Sequence, residues 1–423
     1  MLEGVFAMAS ASIPFDSALI PEGVKRCQFK WFLFWLAVLH GPLMIGVIAT
    51  LMCWGLALNV TYLNNNYPFG LWIAADLGII ALGGGAFFTG FLRYIVKIDE
   101  LKNIVNYAVV IGVMCYAAAQ GILGIDIGQP LRGWFIFWHA NVHSMLTEVA
   151  FCITCYFMVL LIEYLPLILE NRQINKLGFF HGMAHHLHAA MPTIAAIGVF
   201  LSFFHQGSLG GVPGVLYGRP FAFREGFLVW PWTFFLAILS AIACGPCFTI
   251  LITWITEKCA RKRLVKRNVI DILARISGRL LVVYLVLKTI DTIYAAALAE
   301  KVGAPFSSFY ANQPYGYWVL VMELGILGVI PAIILMIKKA RQNENLLIIA
   351  CLLNCAGIFM NRWIIVVQTC AMPVMSFDKF VSYHPNWVEY ATTLMFVWVG
   401  AIAIMLSYRY LPNFPQEKEL NPS

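Results

Sequence analysis

The sequence predicts an all-α, polytopic membrane protein: a bundle of about ten transmembrane helices with both termini in the cytoplasm. Composition is the first reason. Of 423 residues, 61% are hydrophobic and only 12% are charged, and the mean hydropathy is +0.79, whereas soluble domains carry about a quarter charged residues. The second reason is the recurrence of long apolar runs, and the third is the distribution of Lys and Arg. This composition excludes a soluble enzyme and excludes intrinsic disorder.

Each predicted span is a run of roughly 20 mostly apolar residues, the length that crosses a hydrocarbon core of about 30 Å. Polar or Pro- and Gly-rich turns separate the runs. In order, the ten spans are 31–58, 68–92, 104–126, 139–165, 188–209, 228–256, 270–299, 316–337, 345–371 and 387–411.

The spans define a simple domain organisation. A cytoplasmic N-terminal segment, 1–30, precedes a transmembrane domain, 31–411, and a cytoplasmic tail, 412–423, follows it. Within the transmembrane domain we expect a first bundle at about 31–209 and later helices at about 228–411. The N-terminal segment has no charged-then-apolar leader, so the first span is predicted to be the insertion signal.

Positive charge predicts the orientation. Nineteen Lys and Arg residues fall in the N-terminal segment, the tail and the alternate turns, including the cluster from Lys258 to Arg267. The other turns hold five: Arg132, Arg219, Arg224, Lys301 and Lys379. Cytoplasmic loops retain positive charge, so both termini are expected in the cytoplasm of a prokaryote, with the chain in its inner membrane.

Two turns on the predicted outer face are long and rich in Gly, Pro and aromatic residues, 210–227 and 372–386. Such loops are either inert connectors or a docking platform. Protein interfaces favour aromatic and Arg anchors. The candidate docking residues are therefore Tyr217, Arg219, Phe221, Phe223 and Arg224.

Ionisable residues inside the spans are the strongest functional signal, because a charge at membrane depth costs at least a few kcal/mol. At a rise of about 1.5 Å per residue, they are expected roughly 10 to 17 Å below the outer surface. They are Asp76, Glu148, Lys288, Asp291, Glu323 and Arg362. His205, with Gln206 and Ser208, is expected nearer the outer end of the fifth span, and His143 enters the fourth span from the same side.

Two interpretations apply to these groups. Lys288 with Asp291, and Glu323 with Arg362, can be structural pairs that neutralise one another. The two acids Asp76 and Glu148 and the two imidazoles His143 and His205 instead form a proton-handling set, because such groups can exchange a proton with a quinone oxygen. His40, nearer the cytoplasmic side, is either a satisfied core residue or part of a proton path toward Asp76.

Other signals point to alternative chemistry. Cys244-Gly245-Pro246-Cys247 spells a thioredoxin-type dithiol, but its position within a span favours a Pro-kinked helix with small residues at a packing face. A haem-b cytochrome with His40, His143 and His205 as ligands is one rival function. An ion-coupled transporter that uses the buried charges is another. We expect no metal site.

Several segments together are similar to one family. They are Phe204-His205-Gln206-Gly207-Ser208-Leu209-Gly210, Asn141 to Glu148, Trp72 with Asp76, Asn361-Arg362, and Pro385-Asn386-Trp387-Val388-Glu389. In this order they resemble the NrfD/PsrC (polysulfide reductase-like) membrane subunits, across nearly the whole chain. Ten spans resemble the branch with HybB-, HmcC- and DsrP-type subunits, and the segment Tyr217 to Pro231 favours the DsrP type. One departure is Gly207, where many relatives carry a second Ser.

The resemblance implies a quinone-reactive subunit without haem or metal of its own. It implies docking on the outer face to a ferredoxin-like iron-sulfur subunit and, for the Dsr type, a multihaem cytochrome c. It also implies a quinone site near the outer face in the first bundle, at Asp76, His143, Glu148 and His205. The expected function is electron exchange between a menaquinone-type quinone and the iron-sulfur partner, with proton translocation as an open extension.

Overall fold

The computed structural model describes residues 15–214, 226–227, 230–301, 317–368, 370 and 382–422. Ten long helices account for most of these residues. They are α1 Phe29–Gly55, α2 Leu71–Gly90, α3 Val105–Asp126, α4 Met145–Leu169, α5 Gly178–Gly214, α6 Trp232–Ala260, α7 Arg267–Lys301, α8 Trp318–Met336, α9 Glu344–Trp363 and α10 Trp387–Tyr410.

Short elements join the long helices. Single helical turns lie at Phe15–Leu19, Phe135–Trp138, Lys338–Gln342 and Glu417–Leu420. The 3₁₀ turns are Ala57–Val60, Asp99–Asn103, Pro130–Arg132 and Ile174–Lys176. Within the described ranges, β-structure is limited to an antiparallel pair of dipeptides, β1 Gly226–Phe227 and β2 Trp230–Pro231, in which Gly226 faces Pro231.

The all-α, polytopic fold class is confirmed. Among the described residues, nine helices are long and apolar enough to cross a membrane. The seventh predicted span also forms a long helix, α7, but charged residues such as Arg279, Lys288 and Asp291 interrupt its apolar character. The side on which the termini lie stays a prediction.

Two helix boundaries differ from the sequence-based expectation in ways that matter for the site. Helix α4 begins at Met145 rather than near 139, because 135–138 form a separate turn. Helix α5 begins at Gly178 and continues to Gly214. His205 therefore lies about 14 Å along the helix axis from Gly214, whereas Glu148 lies in the first turn of α4.

Helix α2 is at the centre of the bundle. It contacts α3, α5, α6 and α9, while α1 packs mainly against α10. Its Gly85 crosses α6 at Gly245 so closely that a Cβ on either residue would overlap the other backbone. This contact explains the Gly of the Cys-Gly-Pro-Cys segment as a packing residue, in agreement with the kinked-helix interpretation.

Three π-helical segments occur among the described residues: Phe91–Ile95 continues α2, and the other two lie beside buried polar residues. The segment Val321–Val329 of α8 contains Glu323, and the segment Ile364–Gln368 begins two residues after Arg362. Pro331 lies just after the α8 segment and lacks the N–H that would bond one turn back. The wider π-helical turn before Pro331 accommodates the missing hydrogen bond. Segments of π-helix frequently mark functional sites.

The basic end of the bundle is held together by ion pairs. Arg26 pairs with Glu417, and Arg409 pairs with Asp16, so the N-terminal segment and the tail are fastened to each other and to α10. Lys262 adds a contact to Glu417 at 3.6 Å. The residues that set the predicted orientation thus also join the ends of the chain.

Candidate functional site

His205 is the centre of a buried hydrogen-bonded group. Its side chain is fully buried on α5. Nδ1 donates to the Leu201 carbonyl at 2.9 Å, so in the neutral ring Nε2 is the acceptor for the hydroxyl of Tyr116, 2.6 Å away. Gln206 donates from Nε2 to the Ile80 carbonyl at 2.9 Å and to the Tyr116 oxygen at 3.3 Å. Three helices, α2, α3 and α5, are joined by this group.

Asp76 lies next to the group. It is buried on α2, one turn before Ile80 and about 8 Å from the beginning of the helix. Tyr116 and Asp126 are both close enough to interact with it electrostatically. The Oδ1 atoms of Asp76 and Asp126 are buried and have no hydrogen-bond partner among the described residues. Buried oxygen atoms without partners are what a bound polar ligand or a transferable proton would satisfy.

Ser208 and Gly207 complete this part of α5. The hydroxyl of Ser208 is buried and has no hydrogen-bond partner within the described ranges. At Gly207 the ring of Phe234 occupies the space that a side chain would need. The departure from the family pattern is therefore matched by an aromatic side chain on α6.

The structure does not bring the remaining predicted members into this group. His143 is exposed in the turn before α4, and Glu148 is half-buried at the helix beginning. His40 is exposed on α1, with Nδ1 donating to the Leu36 carbonyl at 2.7 Å. An exposed His40 offers no path into the bundle. Both ring nitrogens of His205 are already hydrogen-bonded, and His40 and His143 are exposed. His40, His143 and His205 are therefore poorly arranged to ligate a haem.

Residues that the sequence analysis did not single out connect the group to both ends of the bundle. Tyr156 on α4 stacks on His205 with ring centroids 5.4 Å apart and packs edge-on against Tyr116 at 4.7 Å. Glu163, two turns further along α4, interacts electrostatically with Tyr156 and Tyr94. Glu163 and Asp126 are acids within or at the end of apolar runs, so the signal that selected Asp76 also applied to them.

The second set of buried charges lies among α6, α7, α8 and α9. Lys288 and Asp291 form an ion pair at 4.0 Å on one helix, not between helices. Glu323 and Arg362 are not in direct contact. The amide of Asn361 donates to Glu323 at 2.6 Å and accepts from Arg362 at 2.8 Å, and Arg362 also donates to Ser240 at 2.8 Å. The two charges are therefore linked through the Asn361 amide rather than by a direct ion pair, and their mutual neutralisation stays a prediction.

The predicted docking residues belong to a part of the chain that the structure does not describe. Tyr217, Arg219, Phe221, Phe223 and Arg224 lie outside the described residues, as does most of 372–386. In the part of the chain that is described, His, Cys, Asp and Glu form no group of three suited to a metal ion.

Comparison with known proteins identifies the family. The family described as Polysulphide reductase, NrfD matches residues 59–373. The chain belongs to the NrfD family.

Three relatives show how far this family similarity extends. The chain is 51% identical to "Menaquinone reductase, integral membrane subunit" of Nitratidesulfovibrio vulgaris, over 97% of this chain and 98% of the relative. It is 25% identical to "Probable Ni/Fe-hydrogenase 2 b-type cytochrome subunit" of Escherichia coli, over 90% and 93%. It is 20% identical to a selenate reductase subunit of Mesobacillus selenatarsenatis, over 89% and 93%. Similarity covers nearly the full length of this NrfD chain and of the relative in each case.

Proposed function

We propose that this chain is the quinone-reactive membrane subunit of a multi-subunit respiratory redox complex, with a non-covalently bound menaquinone-type quinone. The observation that carries the proposal is the convergence of Asp76, Tyr116, His205 and Gln206 from three helices in a buried site. The 51% identical menaquinone reductase subunit supports the same class of substrate.

The residues present fit a quinone ring. The Oδ1 of Asp76 and the hydroxyl of Ser208 are buried polar atoms that lack partners among the described residues, and a ring oxygen can bond to either. A quinone, when bound, supplies two-electron chemistry coupled to two protons. The Asp76 carboxyl is the group of this site that can exchange a proton with a ring oxygen. The Leu201 carbonyl fixes the His205 ring so that Nε2 can take up the Tyr116 proton.

Substitution of Asp76 tests the proposal. Asp76→Asn keeps the shape but removes the transferable proton, so quinone turnover of the purified complex should fall by one to several orders of magnitude. Turnover is measured with 2,3-dimethyl-1,4-naphthoquinone, and Asp99→Asn, in an exposed turn, is the matched control. Normal turnover in Asp76→Asn with intact membrane insertion contradicts the proposal.

Proton translocation is the narrower proposal, and Glu163 is its entry point. The series Glu163, Tyr156, Tyr116 with His205, and Asp76 leads from the basic end of the bundle toward the opposite end. In proteoliposomes, Glu163→Gln should retain quinone turnover but abolish the accompanying pH change across the membrane. A full pH change in this variant excludes Glu163 from a proton path.

A ferredoxin-like iron-sulfur subunit on the outer face is proposed as the redox partner, with a multihaem cytochrome c as a further subunit. Its proposed seat includes Arg219, Phe221 and Arg224. Replacing these three residues together by Ala should abolish co-purification of the iron-sulfur subunit and leave quinone binding to the chain intact. If the complex stays whole and quinone binding is lost, the segment covers the quinone site instead.

The type of complex is decided by its subunits. The 51% identical relative supports a menaquinone reductase, and the resemblance supports a DsrP-like subunit of sulfur metabolism in a prokaryotic inner membrane. Mass spectrometry of the subunits that co-purify distinguishes the two. A chain that purifies alone favours an ion-coupled transporter, and a reducible haem band in its absorption spectrum favours a b-type cytochrome.

A further inference from the structure

Four of the cysteines meet where α6 crosses α9. Cys244 and Cys247 are one turn apart on α6, and Cys351 and Cys355 are one turn apart on α9. All four are buried. The Sγ atoms of Cys244 and Cys355 are 4.0 Å apart, and Cys247 lies against Cys351. The four thiols thus form two pairs between α6 and α9, Cys244 with Cys355 and Cys247 with Cys351, about one helical turn apart.

The two pairs differ in their surroundings. Cys247 is held at 3.0 Å from the Ser277 hydroxyl and accepts a hydrogen bond from the Asn354 amide at 3.4 Å. Cys244 donates only weakly, at 3.8 Å to the Asn354 carbonyl and at 4.0 Å to Cys355. The Cys244 thiol is therefore the less constrained of the two on α6.

A positive charge and a small cavity lie beside the Cys244 pair. The Arg362 guanidinium is close enough to interact electrostatically with Cys244, and its Nε has no hydrogen-bond partner among the described residues. A thiolate, the nucleophilic form of cysteine, needs such a counter-charge in a buried site. The cavity has room for a molecule about the size of water. Its lining includes Ser240, Asn354 and Ile358, which lie within one turn of Cys244 or Cys355 along the two helices, but neither cysteine lines it.

We propose that Cys244 and Cys355 are a peroxide-reactive thiol pair, with Cys244 as the attacking thiol and Cys355 as the resolving one. The Cys244 sulfur attacks one oxygen of hydrogen peroxide, the O–O bond breaks, and a sulfenic acid and one water molecule form. The Cys355 thiol then attacks that sulfur, an S–S bond forms, and a second water leaves. Two thiols are oxidised by two electrons in total, and one peroxide is reduced to two waters.

The product is a covalent link between α6 and α9. The sulfur atoms must approach from 4.0 Å to about 2.0 Å, which side-chain rotation about Cα–Cβ and a small helix shift can supply. The link lies one turn from Ser240, where Arg362 already connects the same two helices. Oxidation would therefore add a covalent link, which a thiol reductant can break, to a contact that is otherwise held by hydrogen bonds.

Mass spectrometry of the purified complex tests this pair directly. After treatment with hydrogen peroxide and alkylation of the denatured chain, the Cys244 and Cys355 peptides should be recovered as one disulfide-linked species that a thiol reductant separates. In Cys355→Ser, dimedone, which traps sulfenic acids, should label Cys244. In Cys244→Ser, Cys355 should stay a free thiol.

Matched controls use the neighbouring pair. Cys247→Ser and Cys351→Ser should behave like the unmodified chain, because neither residue takes part. Three results overturn the proposal: all four thiols alkylated after peroxide, a disulfide between Cys247 and Cys351 instead, or dimedone labelling of Cys355 rather than Cys244. Because none of these measurements involves a quinone, failure here leaves the proposed function standing, and failure of Asp76→Asn leaves this pair standing.

Discussion

Asn361 links two buried charges that do not touch each other, Glu323 and Arg362. The amide satisfies both because it offers a donor to the carboxylate and an acceptor to the guanidinium. Leucine has a similar volume and neither group, so Asn361→Leu leaves two buried charges without this partner. Breaking such a network costs about 3 to 5 kcal/mol.

We therefore expect Asn361→Leu to lower the unfolding temperature of the detergent-solubilised protein strongly, as measured by a thermal shift assay. The control is Asn345→Leu, on the same helix but exposed. Equal stability of the two variants would mean that Glu323 and Arg362 do not depend on the amide.

Tyr116 offers a second prediction for single residues. Its hydroxyl bonds to His205 at 2.6 Å and receives the amide of Gln206 at 3.3 Å. Tyr116→Phe removes both contacts while keeping the ring that packs on Tyr156. If the hydroxyl takes part in proton transfer, quinone turnover should fall about 100-fold or more, with little change in KM. A rise in KM with an unchanged kcat would instead assign Tyr116 to quinone binding.

At the scale of helices, the crossing of α2 and α6 depends on glycine. Gly85 and Gly245 meet backbone to backbone, and a methyl group at Gly85 would overlap the carbonyl of Gly245. Overpacking of this kind costs typically about 1 to 3 kcal/mol. We expect Gly85→Ala to reduce the thermal stability and yield of the purified chain.

Gly90 provides the control on the same helix, because nothing lies within 4 Å of a Cβ placed there. Gly90→Ala should therefore have little effect. If both variants are equally stable, the helices can separate at the crossing without cost, and the contact is not a constraint on the bundle.

At the scale of the whole molecule, we predict the orientation in the membrane from the unequal positive charge of the two ends of the bundle. The exposed residues Asn65 and Glu100 lie in the turns on either side of α2. In a chain whose exposed Cys27, Cys155 and Cys259 are replaced by Ser, a membrane-impermeant thiol reagent should label Asn65→Cys from outside the cell. Glu100→Cys should react only after the membrane is opened. The reverse pattern would invert the predicted topology.

The ion pair between Asp16 and Arg409 connects the N-terminal segment to α10, and its contribution to stability depends on pH. Partial burial raises the pKa of Asp16, but hydrogen bonds from Arg409 and Tyr410 and the charge of Arg409 outweigh this and hold the pKa below its usual value. A carboxyl group with a lowered pKa in the folded state stabilises it above the unfolded pKa of about 3.9. That contribution is lost as the pH falls through the folded value.

We expect the unfolding temperature of the solubilised protein to fall below about pH 4, and part of this fall should be absent in Asp16→Asn. The variant should also be less stable than the unmodified chain at pH 7, because it cannot pair with Arg409 as a charge. Identical pH profiles for the two proteins would show that the Asp16 pair contributes nothing to stability.

The sequence by itself determined the fold class and the positions of ten long helices, nine of which are apolar enough among the described residues to cross a membrane. It also singled out Asp76, His205 and Gln206, which are buried in the structure. These follow from quantities that are local to the chain: the length of an apolar run, and the cost of a polar group placed inside one. The capping box at the beginning of α10, with Asn386 and Glu389 bonded reciprocally, is also local to the chain, but it was recognised only in the structure.

Only the tertiary structure decided which polar groups meet. His205 bonds with Tyr116, 89 positions away in the chain, while His143 and Glu148, closer to it in sequence, stay at a helix end. Asn361 lies between Glu323 and Arg362, whose opposite charges suggested a pair from the sequence. Cys244 meets Cys355, 111 positions away in the chain. Contacts between helices depend on how each helix is rotated and where it begins, and a periodic apolar sequence leaves both free until the helices pack.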